Sequence, residues 1–369
     1  MLFKCSVYIN IMINVVGAGP AGSFFSLNAK DSVRIFEEHK EVGKPVACTG
    51  ILTSAITDLI KIDESVIANK IKRVRLIAPN DDYYEFKLKT EELIVYRDKF
   101  DKFLIEKALD NGTELYKHHR FLNFNKNGKI ISEFETDKGE KRFSSDILVG
   151  ADGPVSKVAQ ASGLYVNRKN WVGKQYTANL SMEKDVFYVY FGNVPDFFGW
   201  VVPESDSKAR VGVASEKNVS TYFDLLKKKL KLKNLDECQA GPIPMYNPEN
   251  ITSKDNVYLI GDAAGQVKST TGGGIVYGMR AGKILADCLN NNLDYEKEWR
   301  KELNKDLMFH LRIRKFLNKF NENDYNDFIK VLKTIDLGNF NRDYPLRNLG
   351  MFIKPSLIGF FLRNFYKAI

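Results

Sequence analysis

The sequence predicts an α/β protein: a nucleotide-binding domain split over three stretches of chain, a β-sheet lobe threaded between them, and a helical C-terminal region. Three observations predict it. Glycine-rich turns follow apolar runs at Gly17, Gly150 and Gly261, far apart in a chain of 369 residues. The segments between them alternate apolar and polar residues with the period of strands. From Tyr295 onward the chain reads as helix, rich in basic and aromatic residues.

The first turn carries the most information. Ile11, Ile13, Val15 and Val16 form an apolar run, and Gly17-Ala18-Gly19-Pro20-Ala21-Gly22 follows it and opens a helix-like segment. Gly17 permits a tight turn, Gly19 lets backbone approach a pyrophosphate, and Gly22 lets helix and strand pack closely. The helix N-terminus then offers amide donors and its positive dipole end to the phosphates. Val33-Arg34-Ile35-Phe36-Glu37 reads as the next strand, with Glu37 placed to bind a ribose hydroxyl pair. The interval from Gly22 to Glu37 is short, which predicts a trimmed crossover.

Residues 12–70 hold this first unit and a loop punctuated by Gly and Pro. Residues 71–90 read as a hairpin: Val74, Leu76 and Ala78 alternate, Pro79-Asn80-Asp81 turns, and Tyr84, Phe86 and Leu88 alternate back. Residues 98–111 read as a helix, stopped by Asn111-Gly112. Segments 129–135 and 143–149 suggest an antiparallel pair leading to Gly150, so 91–165 returns to the nucleotide-binding domain. Residues 166–251 complete the β-rich lobe, with an aromatic run at Phe187–Phe191 and a lysine-rich helix over 222–235. A strand at Asn256–Ile260 and a helix from about Ile275 to Leu289 make 252–290 the third stretch. Residues 291–369 form the helical region.

A net charge of +9 favours an anionic partner, either a membrane surface or a phosphorylated substrate. The lysines are scattered and no nucleic-acid motif is found, so nucleic acid is excluded. The cysteines Cys5, Cys48, Cys238 and Cys288 have neither metal-ligand nor disulfide spacing, which fits a reducing cytoplasm and no metal. No apolar run reaches the ~20 residues that span a bilayer. Residues 1–11 are apolar with a lone Lys4 and no convincing cleavage site, and Met12 is a natural alternative start.

Two later motifs answer the first. Gly150-Ala151-Asp152-Gly153-Pro154 follows the apolar Ile147-Leu148-Val149. Gly261-Asp262-Ala263-Ala264-Gly265 follows a strand and precedes Gly272-Gly273-Gly274 and a helix. Asp262 suits ribityl hydroxyls or groups flanking a pyrophosphate. The glycine triple lets amides approach an isoalloxazine edge, with the positive end of the following helix behind them. Three glycine-acid sites in this order point to FAD rather than NAD. Taken singly, Asp152 also reads as an ordinary Asp-Gly turn and Asp262 as a helix cap.

The order of GxGPAG, Arg97 in Val95-Tyr96-Arg97-Asp98, GADG and GDAAG resembles the Rossmann-type FAD-binding fold of aromatic hydroxylases. More closely, the chain resembles the geranylgeranyl reductase family, particularly archaeal digeranylgeranylglycerophospholipid reductases, from Met12 to about Leu289. The resemblance implies that Arg97 lies at the FAD phosphates and that Cys48-Thr49-Gly50 forms a loop near the flavin. It also implies that Pro195-Asp196-Phe197-Phe198-Gly199-Trp200-Val201-Val202-Pro203 is a substrate motif. There Phe198 replaces the family's tyrosine and Val202 its phenylalanine. Pro195, Phe198, Trp200, Val202 and Pro203 would then bind a long isoprenoid tail by apolar contact.

The function expected is FAD-dependent saturation of geranylgeranyl double bonds, in archaeal ether phospholipids, with Cys48 as candidate proton donor. NAD(P)H or a ferredoxin would supply electrons. A flavin monooxygenase on the same fold and an isoprenoid carrier are the alternatives. Without the resemblance, Cys48 reads equally as a small buried hydrophobe. The four histidines sit in no motif and read as structural or exposed. The tail from Leu349 mixes apolar residues with Lys354, Arg363 and Lys367. It reads either as a helix at the inner face of the cell membrane or as one packed on the core.

Overall fold

The computed structural model describes residues 11–165 and 168–364. The leader before Ile11, with Lys4 and Cys5, and Lys367 in the tail lie outside the described residues.

Six strands form the first sheet, in the order Ser253–Lys254, Val257–Leu259, Ile147–Gly150, Met12–Val16, Ser32–Glu37 and Glu114–Lys117. All neighbours run parallel except the first pair. Ile13 and Val15 are fully buried, as central strands covered on both faces require. The crossover after the first strand is the nine-residue helix Pro20–Asn28, which accounts for the short interval to Glu37. The 17-residue helix Ile275–Asn291 crosses it closely: a Cβ on Gly282 would stand 2.8 Å from the Ala21 carbonyl oxygen.

The second sheet has eight strands: Leu235–Pro244, Asn170–Asn179, Lys208–Ser215, Gly199–Pro203, Val186–Tyr190, Ile67–Ile77, Tyr83–Val95 and Ile51–Leu52. The hairpin runs from Ile67 to Val95 and turns at Asp81, where φ is 66° and the Ala78 N–H donates to the Asp82 carbonyl at 2.8 Å. Strand alternation sends Val74, Leu76, Phe86, Phe187, Val189 and Trp200 to one cavity.

Two sequence expectations are corrected. The antiparallel pair is Lys129–Thr136 with Gly139–Ser145, part of a three-stranded sheet with Arg120–Asn127. Ile147–Gly150 joins the parallel sheet instead, because Asp146 redirects the chain: its N–H donates to the Met12 carbonyl at 2.8 Å, and its carboxylate accepts from the Met12 N–H at 3.0 Å. The lysine-rich helix is Val219–Lys229; Lys231 turns left-handed at φ 52°, and Leu235 already begins a strand.

The C-terminal region is helical. Trp299, Leu303 and Leu307 complete the core of the parallel domain. The helix Glu322–Leu332, started by a capping box of Asn321 and Asp324, packs Ile329 and Leu332 against Ala78 of the hairpin. No described helix is long and apolar enough to cross a membrane.

Candidate functional site

At the first turn Gly17 has φ +100°, and a Cβ there would lie 2.4 Å from the Ala151 carbonyl oxygen; one on Gly22 would lie 2.2 Å from the Gly17 carbonyl oxygen. Only glycine fits either position. A Cβ on Gly19 would meet nothing within 4 Å, so the turn is open on that side. Glu37 accepts from the Ala18 N–H and the His39 N–H, both at 3.0 Å, tying the strand end to the turn.

Two helices start at this edge without side-chain caps and without acidic residues in their first turns: Pro20–Asn28 after Gly19, and Ile275–Asn291 after Gly274. Their leading amides remain available to an anion. Three other helices are capped, by Ser156, Asp294 and Asn321, while Arg97–Asp110, Val219–Lys229, Lys305–Leu317 and Pro355–Arg363 also start without a side-chain cap. Asp152 is engaged locally. Ser156 Oγ donates to it at 2.6 Å and the Val158 N–H at 3.0 Å, and burial pushes its carboxyl up. Beside it Gly153 turns at φ 75°.

Asp262 is different. Among the described residues its carboxylate accepts no hydrogen bond, and a Cβ on Gly274 would stand 2.6 Å from its Oδ1. Burial pushes its pKa up, against the pull of Arg97 and Arg168. The loop that carries it ends at Gly265, with φ 70°. Arg168 steadies that loop by donating to the carbonyls of Asp262 at 2.9 Å and Ala263 at 2.7 Å.

Arg97 opens the helix Arg97–Asp110 and donates through Nε and Nη2 to Asp101, both at 2.9 Å. Burial works against its charge, but Asp101 beside it holds it protonated. The Cys48 loop is fixed on both sides. The Gly50 N–H donates to Cys48 Sγ at 3.3 Å, and Arg210 Nη1 donates to the carbonyls of Thr49 at 2.5 Å and Val95 at 3.0 Å.

These pieces meet at a cavity of about 440 Å³. Cys48, Thr49, Gly50, Arg97, Asp262 and the Gly272–Gly274 loop line its polar end. Phe187, Phe191, Phe197, Phe198 and Trp200 form aromatic walls, and Leu317, Phe328 and Leu332 from the C-terminal helices close the apolar end. Of the proline-flanked segment only Phe198 and Trp200 line the cavity among the predicted residues. Pro195, Val202 and Pro203 do not, and Val202 is wholly buried in the lobe's core. Gly17, Gly19, Pro20, Ala21, Gly22, Glu37, Asp152, Gly153 and Gly265 also lie outside the lining, on the side of the glycine turns.

Several lining residues carry no sequence signal. Gln175 sits mid-strand and receives the Trp200 indole N–H at 2.9 Å. Lys268 forms a buried ion pair with Asp343, which also accepts from the Thr53 hydroxyl. His310 stands between Thr270 Oγ1, 2.6 Å from its Nδ1, and the Arg342 carbonyl, 2.9 Å from its Nε2. A carbonyl only accepts, so Nε2 carries the proton and Thr270 donates to Nδ1. Arg314 reaches the carbonyls of Ser269 at 3.0 Å and Thr270 at 2.6 Å. These contacts join positions dozens of residues apart, so no local spacing marks them.

The fit to FAD follows from the cradle itself: glycines that no side chain could replace, two uncapped helix starts at one sheet edge, and a half-buried carboxylate, Asp262, free to accept from a hydroxyl. A fold and site of this kind define an FAD-dependent oxidoreductase, and the family model described as FAD binding domain matches residues 31–223. A digeranylgeranylglycerophospholipid reductase of Methanococcus vannielii is 30% identical over 88% of this chain and 92% of its own length. Its counterpart in Methanocaldococcus jannaschii is 27% identical over 94% and 96%. A geranylgeranyl bacteriochlorophyll reductase-like protein from Thermoplasma acidophilum shares the fold, with a TM-score of 0.86 at 21% identity over 96% of this chain and 99% of that one. The chain belongs to the family of FAD-dependent reductases that includes these digeranylgeranylglycerophospholipid reductases.

Proposed function

We propose that this chain saturates geranylgeranyl double bonds in archaeal-type ether phospholipids. The observation that carries the reading is the lining of the cavity: aromatic and aliphatic side chains, Val74, Leu76, Phe86, Phe187, Val189 and Trp200 among them, make up much of it, and Cys48, Arg97 and Gly272–Gly274 line the same space. An isoprenoid chain offers nothing but apolar surface, and such walls bind it by excluding water.

The Gly17–Gly22 turn, Arg97, Asp262 and Gly272–Gly274 would hold FAD, which when bound and reduced would supply hydride to an alkene. Adding hydride and proton across an isolated alkene builds positive charge at the more substituted carbon, and the faces of Trp200 and Phe198 attract it. Cys48 gives its thiol proton to the neighbouring carbon and is reprotonated from solvent, which balances the step. The amides at the start of the helix Ile275–Asn291 and the protonated Arg97 hold negative charge at the polar end. Electrons arrive from NAD(P)H or a ferredoxin, and the basic surface favours a phosphate-bearing substrate.

Holoenzyme reduced chemically without oxygen, then mixed with a geranylgeranyl ether phospholipid, tests the reading. Oxidised-flavin absorbance should return as double bonds are consumed. No return on adding lipid, with an oxygen atom incorporated into the product once NAD(P)H and air are supplied, would assign the chain to hydroxylation instead.

A further inference from the structure

Residues 344–369 contain no Asp or Glu, although acidic side chains make up 46 of the 369 residues; they do contain Arg347, Lys354, Arg363 and Lys367. Within this stretch the helix Pro355–Arg363 is apolar on two sides. Leu357 and Phe360 are each 1% exposed. Leu357 packs in one cluster with Leu332 and Leu337, and Phe360 in another with Leu317, all three of which line the cavity. Ile358, Phe361 and Leu362 face outward, 44%, 40% and 69% exposed, and Ile353 just before the helix is 72% exposed. Among the described residues eleven large apolar side chains are exposed, and four of them fall in these ten positions. Single exposed apolar residues are ordinary; a contiguous group beside unopposed cations is not. Lys354 and Arg363 are exposed at its two ends and enter no salt bridge among the described residues.

We propose that this helix is a docking surface for an anionic lipid bilayer, lying in the interface with Ile353, Ile358 and Leu362 among the acyl chains and Lys354 and Arg363 at the headgroups. The occupant follows from charge complementarity: an acid-free apolar face flanked by lysine and arginine suits a negatively charged apolar interface. Resting on the isoprenoid reading above, the cavity's size adds a reason for it. A ~150 Å³ cavity holds one benzene, so about 440 Å³, part of which lies at the flavin end, holds at most one twenty-carbon chain and not two. The second chain and the headgroup of a two-chain lipid therefore stay outside the cavity, where a bilayer held against this face would shelter that chain from water.

The test uses full-length, FAD-loaded protein sedimented with vesicles of phosphatidylcholine alone or with a third phosphatidylglycerol. Wild type should pellet with the anionic vesicles, less with neutral ones, and less again in high salt. Ile358→Glu/Leu362→Glu should abolish pelleting, and Lys354→Gln/Arg363→Gln should weaken it by more than about tenfold. Both variants should reduce dispersed geranylgeranyl diphosphate at the wild-type rate. Pelleting of the variants like wild type, or equal binding to neutral vesicles, overturns the proposal. So does a concentration-dependent dimer that Ile358→Glu/Leu362→Glu dissolves, which would assign the face to a second copy. Loss of reduction in every protein, with the vesicle pattern intact, would remove the substrate reading and leave the docking surface standing.

Discussion

Trp200 donates its indole N–H to Gln175 Oε1 at 2.9 Å, and the same oxygen receives the Thr49 hydroxyl at 2.8 Å. Gln175 Nε2 donates in turn to Gln239 Oε1 at 2.7 Å. One buried amide therefore ties the aromatic wall to the loop that carries Cys48. Gln175→Leu leaves the Trp200 N–H buried and unpaired, at about 1–3 kcal/mol of stability. Denaturant unfolding should show that loss, with FAD content kept and turnover lowered. Unchanged turnover would mean that the wall does not position the substrate against Cys48.

Lys268 and Asp343 pair with side chains only 4% and 0% exposed. Burial opposes ionisation of Asp343, but Lys268 and Thr53 outweigh it and hold the carboxyl below its ordinary range. Asp343→Asn strands a buried ammonium and should cost about 3–5 kcal/mol, whereas Lys268→Met with Asp343→Leu should cost less than the single change. Chemical denaturation of the two variants decides it; a double variant less stable than Asp343→Asn would contradict the account.

His310 makes stability depend on pH. Burial, and Lys268 next to it, depress the imidazole to about 3 in the folded chain, against 6.5 ordinarily. Between those values the unfolded chain binds the extra proton. The stability is therefore fully present above pH ~6.5 and is lost as pH falls toward ~3, by up to about 1.4 kcal/mol per unit. Unfolding curves from pH 4 to 7 should slope this way in wild type and flatten in His310→Asn. Equal slopes would locate the dependence elsewhere.

Cys48→Ala should retain FAD, because the cradle is made of backbone and of Asp262 and Arg97. As a general acid Cys48 is worth about 10²–10⁴-fold in rate. Single-turnover reoxidation of the reduced flavin by substrate should slow by that factor, and a variant as fast as wild type would make the proton-donor role untenable.

The parallel domain was legible in the sequence because each of its joints needs glycine for a local reason. Gly17 and Gly22 are pressed against backbone, and their spacing is set by one strand and one helix. The hairpin of the lobe was legible from alternation at Val74, Leu76, Phe86 and Leu88. The boundary at Asp146 was not, since a single carboxylate bonded to Met12 decides where one sheet ends and another begins. Phe198 and Trp200 were picked out by the proline-flanked segment, which does not tell the residues facing the cavity from Val202, buried behind them. Gln175, Lys268, His310 and Asp343 escaped sequence reading for one reason. Each is defined by a partner from a remote element, and helices after Tyr295 that show no motif turn out to close the cavity.

Mass decides whether this chain saturates isoprenoid double bonds. Reduced holoenzyme is incubated anaerobically with a geranylgeranyl ether phospholipid, and the lipid is weighed by mass spectrometry. Reduction should add mass in steps of two hydrogens per double bond. A lipid of unchanged mass, with FAD bound and demonstrably reduced, would contradict that activity.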